Sequence, residues 1–71
     1  MIVNPAQTQK LLTGNQKFSQ LGLSMLITRL RSIYSKDASQ TALNSCTEEI
    51  NAFLKKYSAI LSADYAIISK L

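Results

Sequence analysis

The sequence predicts an all-α fold, an antiparallel helical hairpin, and three observations predict it. Apolar residues keep one helical phase across residues 43–71, a second stripe runs across residues 23–34, and a polar run at residues 35–40 lies between them. At about 100° per residue, Leu43, Cys46, Ile50, Phe53, Leu54, Tyr57, Ile60, Leu61, Tyr65, Ile68 and Leu71 fall on one face. The opposite face carries Thr41, Asn44, Glu48, Ala52, Lys55, Ala59, Ala63, Ala66 and Lys70, so the segment reads as a long amphipathic helix.

Taken in order, Asn4-Pro5 opens a short first helix, Asn as cap and Pro at the first helical position, where its missing N–H costs nothing. Gly14-Asn15 supplies the stop. The two turns between are apolar only at Leu11 and Leu12, too little for stability alone, so this helix is either docked or frayed. A second helix is expected from residue 15 or 16 to 34 or 35. Its inner stripe is Leu23, Leu26, Ile27, Leu30, Ile33 and Tyr34; Phe18, Leu21 and Met25 form a second apolar patch on its far side. Followed backward, the inner stripe meets Ser19 and Gln16 before Leu12, so the first helix is expected to continue this arm loosely, bent at Gly14.

Asp37 followed by Gln40 resembles a capping box and starts the long helix at about residue 38. Ser45 with Glu48 is an alternative, later cap. One unbroken helix to residue 70, about 30 residues and ~45 Å, is the expectation, with a kink near Ser62 the alternative. Folding back at residues 36–39 places Leu23 near Ala52, Leu30 near Leu43 to Cys46, and Leu11 near Asp64. Residues 1–71 then form a single helical domain, a hairpin with a broken first arm, or a three-helix bundle if the first helix docks.

Composition narrows the function classes. The chain has 71 residues and an apolar content of 46%, near the lower size limit for one core. Net charge is +4, and residues 1–36 hold Lys10, Lys17, Arg29, Arg31 and Lys36 with no acid. These cations are scattered and lack interleaved aromatics, so a solvated basic surface is favoured over a nucleic-acid site, and a membrane surface is a weaker alternative. One Cys and no His leave no Cys/His metal set and no base for a catalytic thiol. Cys46 therefore reads as a buried structural thiol, and Glu48 and Glu49 as solvent-facing. No phosphate-binding loop is present, no cofactor is expected, and the chain is not expected to be an enzyme. The start lacks the pattern of a secretory signal, no stretch reaches the ~18 apolar residues of a span, and a cytoplasmic protein is expected.

What remains is surface. Phe18, Leu21 and Met25 stay wet in an isolated hairpin and are candidates for partner binding unless the first helix covers them. Ala59, Ala63, Ala66 and Ile67 are the second candidate set, because small side chains let another helix approach closely; alternatively, Ala there is simply a good exposed helix former. The expected partner is another helical protein or a second copy.

The acid-free polar start (Gln7, Thr8, Gln9, Thr13, Asn15, Gln16) and the arm from Lys55-Lys56-Tyr57-Ser58-Ala59-Ile60 to Ile67-Ile68-Ser69-Lys70-Leu71 resemble the small hairpin proteins of bacterial type III secretion, needle subunits and their co-chaperones. The resemblance covers residues 26–71. Needle subunits usually carry Pro between the helices and residues 35–40 have none, which favours the co-chaperone. It implies a long helix that shields an aggregation-prone secreted partner until export. A bacteriocin immunity protein is the alternative, resembled in basic charge, helical content and residues 62–71, although those proteins are typically longer four-helix bundles. A nucleic-acid-binding regulator is the third.

Overall fold

The described residues form three helices, and in the first and third of them a side chain satisfies the first free amides. In the computed structural model, which describes residues 3–14 and 22–58, these are α1 (Pro5–Thr13), α2 (Gly22–Lys36) and α3 (Gln40–Tyr57), with no strand among the described residues. Asn4 caps α1 in extended conformation, and the box is reciprocal: the Gln7 N–H donates to Asn4 Oδ1 at 2.9 Å while the Asn4 N–H donates to Gln7 Oε1 at 3.1 Å. α1 ends where Gly14 turns to extended backbone, its N–H still donating to the Lys10 carbonyl at 2.6 Å. The stop needs no left-handed residue. Gly is required there because a Cβ would collide with that same Lys10 oxygen.

The cap of α3 differs from the expected one. Ser39, not Asp37, is the N-cap: its hydroxyl accepts from the Ala42 N–H at 3.1 Å, and its carbonyl receives the Leu43 N–H at 3.0 Å. Asp37 belongs to the end of α2 instead, where its N–H donates to the Ile33 carbonyl at 3.2 Å. The Gln40 side chain, freed from any capping role, donates to Asn44 one turn on. The described part of α3 closes at Tyr57, with Ser58 still in helical conformation. The expected continuation to residue 70, the kink at Ser62 and the start of the second helix near residue 16 lie outside the described residues.

α2 and α3 pair as the hairpin reading requires. Gly22 faces Phe53 and Arg29 faces Glu49, so the helices run antiparallel with Leu23 level with Ala52. Leu23, Ile27 and Leu30 meet Leu43, Cys46, Ile50 and Leu54 in the core, and Leu26, Tyr34, Phe53 and Tyr57 are packed half-buried against it. Each fully buried aliphatic side chain contributes about 1.5–3 kcal/mol of gross transfer free energy.

α1 departs from expectation. It does not extend the first arm but lies against the middle of α3, antiparallel to it; the expected neighbour of Leu11, Asp64, is outside the described residues. The Val3 N–H donates to Asn51 Oδ1 at 2.6 Å, Asn51 Nδ2 returns to the Val3 carbonyl at 3.2 Å, and five residues along α1 the Thr8 and Thr47 hydroxyls meet at 2.8 Å. Val3, Thr8, Leu11 and Leu12 are all buried, so the first helix is docked firmly and the described helices form a three-helix bundle. Arg31 of α2 fixes the far end: its guanidinium donates to the Leu11 carbonyl at 3.2 and 2.9 Å and to the Gly14 carbonyl at 2.9 Å. A cation on the unpaired carbonyls of a helix C-terminus is favoured by both hydrogen bonding and the helix dipole.

That placement rotates the inner arc of α2. Around the helix Arg31 stands about 40° from Ile27 on one side and Ile33 about 120° away on the other. With α1 on the Arg31 side, Ile33, expected in the inner stripe, is 46% exposed.

Candidate docking seam

On the flank of the α2–α3 pair bearing Ile33, the described residues leave a seam open. Two hollows lie along it, divided by the Arg29–Glu49 ion pair at 3.3 Å. The hollow toward the α2–α3 turn has a volume of about 270 Å³, with Leu30 and Cys46 at its base and Ile33, Asp37 and Ser45 at its walls. The other, of about 320 Å³, is bounded by Leu26, Phe53, Tyr57 and Lys56. Glu49 lines both. The ion pair is roughly half exposed on each side, so it contributes no more than about 1 kcal/mol and is readily rearranged.

The second hollow is aromatic because Phe53 and Tyr57 are one helical turn apart on α3. Their ring centroids are 4.9 Å apart, tilted by 38°, and Lys56 Nζ lies 5.3 Å from the Tyr57 ring centre. Gly22 across the seam leaves room for the Phe53 ring; a Cβ there would stand 2.9 Å from Phe53 Cζ.

At the floor of the first hollow Cys46 is buried and free. Burial pushes its thiol pKa up, the Glu49 carboxylate pushes it further the same way, and Arg29 partly offsets them. The thiol is therefore protonated and a poor nucleophile at neutral pH. Glu48 and Glu49 are exposed, as their sequence positions suggest. Among the described residues no cluster of His, Cys, Asp or Glu can hold a metal ion, and no helix is long and apolar enough to cross a membrane.

Of the residues singled out for partner binding, Met25 is on the surface, 76% exposed. Phe18, Leu21, Ala59, Ala63, Ala66 and Ile67 lie outside the described residues. Met25 lines neither hollow and stands about 80° around α2 from Ile33, beside the seam rather than within it. The seam residues Leu26, Ile33, Phe53 and Tyr57 read in sequence as core stripe; with α1 on the opposite flank, Leu26, Phe53 and Tyr57 are half-buried at the edge of the core and Ile33 is exposed.

No protein-family model matches the chain, and no curated protein or solved structure matches it either.

Proposed function

We propose that this bundle is a non-enzymatic, cytoplasmic helix-binding protein, a small chaperone or structural component of a bacterial protein-secretion apparatus. The observation that carries the reading is the α2–α3 seam, where exposed Ile33 lines one of two hollows with mixed apolar and charged walls. An amphipathic helix laid there would place its apolar face over Leu26, Ile33 and Phe53 and its charges beside Arg29, Glu49 and Lys56. That is the chemistry needed to cover the apolar arm of a partner awaiting export.

The test uses a purified type III needle subunit as probe. An equimolar amount of this protein should suppress the rise in light scattering as the subunit assembles or aggregates, and Ile33→Asp should not. Unchanged scattering with the native protein would remove the chaperone reading.

The bacteriocin-immunity alternative gains from one observation: the docked α1 gives the chain a closed core of its own. That reading requires a stable monomer which protects cells from a pore-forming or nuclease toxin, with no effect on needle-subunit assembly.

A further inference from the structure

We infer that a second copy of this chain closes the seam, laid end over end on the first; this rests on the reading of the seam as a helix-docking surface. The seam's two ends are opposite in charge. Asp37 stands at the hollow with Ile33, while Lys56 stands at the hollow with Leu26 and Phe53, and the Arg29–Glu49 rung divides them.

These features lie at matching distances from the rung. Ile33 is one turn beyond Arg29 on α2, ~6 Å along the axis, and Phe53 is one turn beyond Glu49 on α3, ~6 Å in the opposite direction. Asp37, whose N–H still bonds the Ile33 carbonyl, is ~12 Å from the rung, and Lys56 is ~10 Å from it on the other side. A two-fold axis crossing the seam at the rung, perpendicular to the helices, lays each end on its opposite. Ile33 of one copy then covers the Leu26–Phe53 end of the other, and Lys56 comes within reach of the other copy's Asp37, twice over. Such a contact is isologous and closes as a dimer, leaving no free end for polymerisation.

The experiment is sedimentation of the full chain over a concentration series at low salt, with circular dichroism confirming that each variant stays helical. Lys56 and Asp37 are both exposed, so their substitution leaves the core intact. The native chain should dimerise, less so as salt rises. Lys56→Glu and Asp37→Lys should each weaken the dimer about tenfold or more by placing like charges opposite each other. The double variant, and an equimolar mixture of the two single variants, should both regain it, because either combination restores two opposite-charge contacts.

A monomer at every concentration overturns the inference, as does a dimer indifferent to the single reversals or one that neither combination rescues. The needle-subunit assay separates this from the proposed function. A monomer that still suppresses scattering refutes only the dimer, and a rescued dimer without suppression refutes only the chaperone.

Discussion

The hydroxyls of Thr8 and Thr47 meet at 2.8 Å in the interior, where α1 crosses the middle of α3. Thr8 donates to the Asn4 carbonyl at 3.1 Å and accepts from Thr47, whose oxygen also lies 2.9 Å from the Leu43 carbonyl. Thr8 is thus satisfied within its own helix, while the single Thr47 proton serves either Thr8 Oγ1 or the Leu43 carbonyl at one time. The pair sets the level at which α1 sits and contributes little net energy.

Replacing both threonines by Val keeps their shape and removes both polar groups together. The double variant should therefore stay within about 1 kcal/mol of the native chain in urea unfolding. Thr47→Ala, which leaves a void, should cost about 1–3 kcal/mol. A double-Val loss beyond 3 kcal/mol would mean that the hydrogen bond itself holds α1.

Arg31 should matter more. Its charged donors reach two carbonyls at the end of α1, and bonds of that kind contribute about 1.5–3 kcal/mol. Arg31→Met should destabilise by about 2–3 kcal/mol and accelerate amide hydrogen exchange in α1 more than at Ile50 or Leu54 in α3. Arg29→Met, which removes only an exposed ion pair, should cost under about 1 kcal/mol. Equal losses from the two would contradict the capping role of Arg31.

Much of this fold is legible in sequence. Leu43, Cys46, Ile50 and Leu54 share one phase and are the buried face of α3, and the antiparallel register follows from the length of the turn. Asn4-Pro5 marks the start of α1 by local chemistry alone. The docking of α1 is not legible, because the side of α3 that receives it carries Thr47 and Asn51, about 40° and 80° from Leu43. Such residues read as solvent-facing until their partners, Thr8 and the Val3 backbone, are known. Ser39 and Asp37 are equally good caps by composition; the hydrogen bond from Asp37 back to Ile33 decides between them. The seam inherits the same difficulty. Ile33 sits within the arc that a two-helix hairpin would bury, and only a third helix on the far flank turns it outward.

Phe53 and Leu54 separate the edge of the core from its centre. Leu54 is fully buried, and Leu54→Ala should cost about 2–5 kcal/mol. Phe53 is half-buried at the seam, so Phe53→Ala should cost less, about 1.5–2.5 kcal/mol, despite the larger side chain. The reverse order in thermal unfolding would place the Phe53 ring in the interior.

Cys46 gives the molecule an alkaline liability. With the folded-state pKa raised above the unfolded value, the unfolded chain loses its proton first as pH rises. The thiol's contribution is complete below the ordinary thiol pKa and is lost progressively above it, up to the folded pKa. Stability measured from pH 7 to 10 should fall more steeply for the native chain than for Cys46→Ala. Alkylation should be slow in the native state and fast in urea. Parallel pH curves and equal alkylation rates would place the thiol in solvent.

Met25 and Ile33 are both exposed on α2, about 80° apart, and only Ile33 lines a hollow of the seam, which allows the binding face to be assigned by substitution. An exposed carboxylate stays hydrated in the free protein, so Met25→Asp and Ile33→Asp should each change the melting temperature little, whereas Ile27→Asp, at a position only 2% exposed, should unfold the chain. In a complex, the new carboxylate must lose its water without a compensating cation, at several kcal/mol, so only the variant on the binding face should lose its partner. If the seam is that face, Ile33→Asp abolishes both self-association and retention of a needle subunit, and Met25→Asp leaves both unchanged. The opposite result would move the contact to the patch read from Phe18, Leu21 and Met25. Loss in both variants would extend the contact from the seam across the roughly 80° that separates Ile33 from Met25.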